Sequence, residues 1–100
     1  MEQNKTTADK QTRYKTKEPA MYNVIFHNDD VTTMDFVVMV LMRVFRKTEQ
    51  VAEELMLKVD REGSAVVGTY THDIAESKAS YTIRLARANG FPLEVTTEQA

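Results

Sequence analysis

Hydrophobic residues are unevenly distributed along the chain and divide it into a polar N-terminal stretch and a patterned remainder. Residues 1–20 are rich in Lys, Thr and Gln and contain few large apolar side chains. Such a stretch cannot bury enough surface to offset the entropy lost on ordering. We therefore expect a disordered N-terminal extension over 1–20, with Pro19 at its boundary, and a single folded domain over 21–100.

Beyond residue 20 the pattern predicts three strands and three helices, because β-branched and aromatic runs alternate with apolar positions at helical spacing. The predicted elements are a strand at 22–26, a helix at 34–47, a helix from Thr48 to Gly63, a strand at 64–71, a helix at 72–88 and a strand at 91–96. Thr32 or Thr33 would cap the first helix, and Thr32 with Asp35 resembles a capping box. This helix is apolar nearly all round, which predicts a central, buried helix. The order β-α-α-β-α-β predicts an α+β fold, a two-layer sandwich of a three-stranded antiparallel sheet packed against three helices.

Charge and cysteine content exclude several classes of function. The formal net charge is −2, but residues 1–20 carry five basic against three acidic side chains and residues 21–100 carry eight against twelve. An acidic folded part argues against nucleic-acid binding and suits a cationic ligand. The chain has no cysteine, which excludes disulfides and thiolate chemistry. It also lacks an apolar run long enough for a signal peptide or a membrane span, so we expect a cytoplasmic protein without membrane contact.

Residues that could support catalysis or hold a cofactor are scattered. The three glycines form no phosphate-binding loop, and no Ser lies in a nucleophile-elbow context. His27 and His72 fall in different elements without a partner at ligand spacing. We therefore expect neither an enzyme nor a metal or cofactor site.

The most informative polar cluster is Asn28-Asp29-Asp30, which follows the first strand and precedes the first helix. An ammonium group offers three donors and needs several acceptors around it, which an amide oxygen and carboxylates can supply. Thr32, Met34 and Val37 come next, so a polar rim would adjoin an apolar wall. The alternative is structural, since Asn and Asp before a helix are common turn and cap residues.

Several separated motifs together resemble the ClpS family of Clp protease adaptors, and the similarity covers residues 21–100 in order. They are Tyr22-Asn23-Val24-Ile25, Asn28-Asp29-Asp30-x-Thr32-x-Met34-Asp35-Phe36-Val37, Ala52-x-x-Leu55-Met56-Leu57-x-Val59, the segment from Gly63 to Gly68, Ala75-Glu76-x-Lys78 and Pro92-Leu93. The resemblance implies an adaptor without chemistry of its own. It would bind the destabilising N-terminal residues Phe, Tyr, Trp and Leu of substrate proteins and deliver them to the Clp ATPase–protease.

The resemblance also assigns roles to individual residues. The substrate α-amino group would be bound by Asn28, Asp29, Asp30 and Asp60. The pocket for the substrate side chain would be formed by Thr32, Met34, Val37, Met56, Val59 and Leu93. Met34 would act as a gatekeeper that crowds out β-branched side chains. Spacing alone favours a place in the hydrophobic core for Met56 and Val59, although an unbranched Met also suits a pocket that accepts several side chains.

For the partner surface, the resemblance implies docking on the N-terminal domain of a ClpA-type ATPase through Asp73, Glu76 and Lys78. The residues themselves indicate only an exposed, charged helix face. The N-terminal extension would help delivery by engaging the ATPase, and we expect the protein to be a monomer.

Asp60 departs from the family pattern, in which a His usually helps to bind the α-amino group. A carboxylate can still accept hydrogen bonds from an ammonium, although its reach is shorter than that of an imidazole. The departure leaves an alternative function open. In that alternative, the chain is an interaction domain of the same fold that no longer recognises N-termini and only modulates the Clp ATPase.

Overall fold

The computed structural model describes residues 18–100. Its elements are β1 (Met21–His27), α1 (Met34–Arg43), α2 (Glu49–Glu62), β2 (Ser64–Thr71), α3 (His72–Ala88) and β3 (Glu94–Gln99). The predicted order β-α-α-β-α-β and the predicted fold class are confirmed. Most of the predicted N-terminal extension, residues 1–17, lies outside the described residues. In the part that is described, no helix has the length and apolar character needed to span a bilayer.

The sheet places β1 in the centre, in the order β2-β1-β3, and both of its pairings are antiparallel. Val24 and Phe26 are fully buried on the face that the helices cover, as expected for residues two apart in a strand. The register shifts between Val24, which faces Gly68, and Ile25, which faces Val66. A bulge of this kind increases the local twist of the strand pair. Because β1 is central, the loop that follows it emerges in the middle of the domain.

The three helices differ in whether they pack on the sheet or on another helix. Helix α3 contacts all three strands, α2 contacts β2, and α1 contacts α2. The expectation that α1 is buried nearly all round is wrong. Phe36, Val37, Val40 and Leu41 form its buried face. Met34 and Met42, in contrast, are 52% and 37% exposed, so the apolar residues of α1 extend beyond the core to the surface.

Helix α1 also begins and ends differently from the prediction. The N-cap is Thr33, whose hydroxyl accepts from the Phe36 N–H at 3.2 Å, and Thr32 takes no part in a capping box. The helix ends at Arg43 and not at 47, and Arg46 adopts φ 60° beyond it. Phe45 then turns into the core and packs edge-on against Phe26, with ring centroids 5.5 Å apart. Its burial extends the apolar pattern past the end of the helix.

The prediction of the last strand at 91–96 is wrong by three residues, because β3 spans Glu94–Gln99. The Phe91 N–H bonds to the Ala86 carbonyl at 2.9 Å and therefore closes the end of α3. The Phe91 ring packs against Phe36, with centroids 5.0 Å apart. The polar residues that follow pair with β1 through their backbone groups, so their side chains give no apolar alternation. The other predicted elements agree with the structure to within two residues at each end.

Candidate functional site

A cavity of about 280 Å³ lies where the loop after β1, the start of α1 and the second half of α2 meet. It is lined by Asn28, Asp29, Asp30, Thr32, Met34, Val37, Met56, Val59 and Asp60. The structure therefore brings together every predicted substrate-binding residue except Leu93 around one concavity. Since these residues come from three separate segments, only the tertiary fold makes them neighbours.

The loop after β1 is tied to the C-terminal end of α2. The Asn28 N–H donates to the Gly63 carbonyl at 2.9 Å. Gly63 is the C-cap of α2 with φ 88°, a left-handed conformation that glycine adopts without steric cost. Asp60 lies less than one turn before this cap. The hydrogen bond between Asn28 and Gly63 therefore holds the end of α2 that carries Asp60 close to the backbone of Asn28.

Asp29 organises the loop with its own carboxylate. One oxygen, Oδ1, accepts from the backbone N–H groups of Val31 at 2.8 Å and Thr32 at 2.6 Å, while Oδ2 accepts from the Thr32 hydroxyl at 2.8 Å. Partial burial by itself would raise the pKa of Asp29, but these hydrogen bonds and the positive charge of Arg87 lower the pKa below its usual value. Asp29 and Thr32 are therefore partners of each other and shape the wall of the cavity.

The remaining lining residues give the cavity two ends of different chemistry. The polar end carries the Asn28 amide and the carboxylates of Asp30 and Asp60, whose residues are all exposed to solvent. At the apolar end, Val37 and Val59 are 7% and 4% exposed and belong to the hydrophobic core. This end therefore excludes water more strongly than the polar end. A ligand with a cationic group next to an apolar group would match both ends.

The apolar rim of the cavity is formed by Met34 and Met56. Met34 is 52% exposed and Met56 is half-buried. Both belong to the helices that border the cavity, and their unbranched thioether side chains can adapt to different ligand shapes. Met56 and Val59 both belong to or pack against the hydrophobic core and also line the cavity, so the core position favoured by spacing and a position at the cavity are compatible.

Leu93 is 2% exposed and lies in the core, and it is not among the residues that line the cavity. Its segment is held by Arg87, whose guanidinium donates to the carbonyls of Phe91 at 3.0 Å and Leu93 at 2.9 Å. The same cation lowers the pKa of Asp29. Sequence reasoning missed Arg87, although a basic residue in the last turn of a helix is a signal for bonding to nearby carbonyls.

The three residues predicted to contact an ATPase differ in their surroundings. The side chain of Asp73 is fully exposed at the start of α3. Glu76 accepts a hydrogen bond from the Thr97 hydroxyl of β3. Lys78 is half-buried, and its Nζ donates to the Val44 carbonyl at 2.7 Å while lying over the Phe45 ring. Lys78 therefore links α3 to the end of α1, a structural contact that the sequence did not reveal.

Comparison with known proteins identifies the family. The model of the family described as ATP-dependent Clp protease adaptor protein ClpS matches residues 17–96. The chain is 54% identical over 84 residues to the ATP-dependent Clp protease adapter protein ClpS of Desulfotalea psychrophila, an alignment that covers 84% of this chain and 82% of that protein. It is 49% identical over 94 residues to the protein of the same name from Acetivibrio thermocellus, covering 94% of this chain and 95% of that protein.

A solved structure gives the same result at the level of the fold. The chain superimposes on Agrobacterium tumefaciens ClpS2 bound to L-phenylalaninamide with a TM-score of 0.80 and 43% sequence identity. The superposition covers 83% of this chain and all of that one. With sequence motifs, fold and family model in agreement, the chain belongs to the ClpS family of ATP-dependent Clp protease adaptor proteins.

Proposed function

We propose that this protein is an adaptor that binds the free N-terminus of substrate proteins beginning with Phe, Tyr, Trp or Leu and delivers them to a Clp ATPase–protease. The single observation that carries the proposal is the cavity with an acidic, amide-bearing end and an apolar end. The ligand of the related ClpS2, L-phenylalaninamide, has the matching chemistry, because it joins an α-ammonium group to an aromatic side chain.

In this proposal the two ends of the cavity bind two parts of one residue. Asn28, Asp30 and Asp60 accept hydrogen bonds from the α-ammonium group, and Asp29 holds the loop that presents them. Met34, Val37, Met56 and Val59 surround the substrate side chain. A volume of about 280 Å³ falls just below the range of about 300–1,000 Å³ for drug-sized ligands, which suits a single side chain.

The expected affinity follows from the size of the contacts. Burial of one large apolar side chain contributes about 1.5–3 kcal/mol. Each hydrogen bond to the charged amine contributes about 1.5–3 kcal/mol. After the entropy cost of association, two or three such bonds and one side chain are compatible with a dissociation constant in the micromolar range, or about −8 kcal/mol.

Docking on the N-terminal domain of a ClpA-type ATPase belongs to the same proposal. The exposed carboxylate of Asp73 at the start of α3 supports a contact there. Glu76 is bonded to Thr97, and the ammonium of Lys78 is turned toward the end of α1. We therefore assign Asp73 and Glu76 to the docking surface and give Lys78 the role of holding α3 in place. The protein would act as a monomer.

A peptide titration tests the proposal. A peptide that begins with free Phe should bind, whereas its acetylated copy should bind at least about tenfold more weakly, because acetylation removes the charge and two donors. A copy that begins with Val should also bind more weakly, since in this proposal Met34 is the gatekeeper that crowds out β-branched side chains. Asp30→Asn should weaken binding of the free peptide, while the matched change Glu98→Gln, at an exposed position of β3, should leave binding unchanged.

The outcome also separates the two candidate functions. Equal affinities for the free and acetylated peptides would contradict recognition of the amine. No binding of any peptide, combined with docking on the ATPase N-terminal domain, would identify the protein as a modulator of the ATPase that does not recognise N-termini.

A further inference from the structure

A second concavity of about 520 Å³ adjoins the substrate cavity on the outer side of α1 and α2. It is lined by Met34, Asp35, Val38, Met39, Met42, Arg43, Glu49, Glu53, Met56 and Leu57. We call it the α1–α2 groove. Met34 and Met56 line both concavities, so the groove lies next to the substrate cavity and shares its methionine rim.

The groove is unusually rich in methionine. It contains four of the six methionines of the chain, at positions 34, 39, 42 and 56. Met42 and Leu57 are each 37% exposed, although both are large apolar residues. Flexible methionine side chains repack around different partners, and surfaces of this kind bind ligands of variable sequence. A partner that varies from one molecule to the next is therefore a better match to this groove than a partner of fixed sequence.

The dimensions of the groove match a short extended peptide. From Met34 to Met42, eight residues further along α1, the helix advances about 12 Å at its rise per residue. Three residues of extended chain span about 10 Å. A polypeptide whose first residue fills the substrate cavity and whose chain leaves past Met34 and Met56 would therefore place its next three residues along the groove.

We propose that the α1–α2 groove binds residues 2–4 of the substrate and favours apolar side chains there. The inference rests on the proposed function, since it requires the first residue of the substrate to occupy the cavity. Leu57 and Met42 provide apolar contacts from opposite walls of the groove. The groove would make the adaptor sensitive to the sequence that follows the N-terminal residue, without any contact to the α-amino group.

Calorimetric titration of the full chain with phenylalaninamide, Phe-Leu-Leu-Ser and Phe-Ser-Ser-Ser tests this inference. The parent should bind Phe-Leu-Leu-Ser about fivefold or more tightly than Phe-Ser-Ser-Ser, and the ratio should fall below about twofold in Leu57→Gln and in Met42→Gln. Phenylalaninamide, which has no residues 2–4, should bind equally to all variants. Val51→Gln is the matched control, because Val51 lies on α2 with a similar exposure of 40% but outside the groove.

Failure at the cavity and failure at the groove give different results. If phenylalaninamide does not bind to the parent, the proposed function is wrong and this inference falls with it. If phenylalaninamide binds but the two tetrapeptides bind equally, or if Leu57→Gln and Met42→Gln keep the parental ratio, only the inference is wrong.

Two other occupants are also tested. Concentration-dependent dimerisation of the parent that Leu57→Gln abolishes would assign the groove to a second copy of the chain. Loss of the preference for Phe-Leu-Leu-Ser when a peptide of residues 1–17 is added would assign the groove to the N-terminal extension. Either result would overturn binding of substrate residues 2–4.

Discussion

Replacement of Lys78 by Met removes a cation that the fold uses as a link while keeping most of the apolar stem. The Nζ atom donates to the Val44 carbonyl at 2.7 Å. It also lies 5.8 Å from the centroid of the Phe45 ring and 5.3 Å from that of Tyr70. Val44 is the C-cap of α1, and the carbonyl end of a helix carries a negative partial charge that favours a nearby cation.

The expected loss of stability follows from these contacts. A hydrogen bond to a charged group contributes about 1.5–3 kcal/mol, and each partly exposed cation–π contact about 0.5–1 kcal/mol. Lys78 is only half-buried, so water can reach the Val44 carbonyl in the variant and recover part of the loss. We expect Lys78→Met to lower the free energy of unfolding by about 2 kcal/mol, which corresponds to about 8–16 °C in Tm for a domain of this size.

Thermal unfolding followed by circular dichroism measures this loss. Lys58→Met is the matched control, because Lys58 is an exposed lysine on α2 and its replacement should change the free energy of unfolding by no more than about 0.5 kcal/mol. Equal melting temperatures for the two variants would refute the reasoning and return Lys78 to the exposed, charged face that the sequence suggested. A selective loss of stability in Lys78→Met would show that the lysine acts inside the domain.

Two further predictions concern the loop and the polar end of the cavity. The lowered pKa of Asp29 means that its carboxylate stabilises the fold above the unfolded-state pKa and that this contribution is lost as the pH falls through the folded-state pKa. Asp29→Asn should therefore be less stable than the parent by about 1–2 kcal/mol at neutral pH. In urea unfolding experiments this difference in the free energy of unfolding should become smaller below about pH 4. A difference that stays constant down to about pH 3 would contradict the prediction. Asp60→His removes one carboxylate from the cavity, so binding of a Phe peptide should depend less on salt between about 50 and 500 mM than in the parent. Identical affinities and salt slopes would place Asp60 outside the amine-binding site.

At the candidate site, residue patterns predict which residues cluster but not what each of them does. The cluster Asn28-Asp29-Asp30 is visible in the sequence as a turn that could surround a cation, and the structure places it at the rim of the cavity. Sequence alone does not separate the roles within the cluster. Asp29 is bonded to Thr32 and to the backbone of the loop, whereas Asp30 is exposed. Such a distinction depends on the path of the loop and not on residue type.

The sequence by itself determined the elements whose ends are defined by local chemistry. Thr48 as N-cap and Gly63 as a left-handed C-cap delimit α2, and β2 and α3 follow with the predicted boundaries. These signals are local, because a cap bonds to the backbone within one turn and a positive φ favours glycine wherever it occurs. The order of these elements was then sufficient to predict a two-layer α+β domain.

The tertiary structure alone decided where apolar side chains outside the helices and strands belong and which polar groups meet. Phe45 and Phe91 lie beyond helix ends and pack against Phe26 and Phe36. Since Phe45 and Phe91 are apolar like the residues of the neighbouring elements, the prediction extended α1 to residue 47 and began the last strand at residue 91. Contacts such as Lys78 with the Val44 carbonyl join positions 34 residues apart. No local preference specifies such contacts, because they arise only when the layers pack and buried polar groups must find partners.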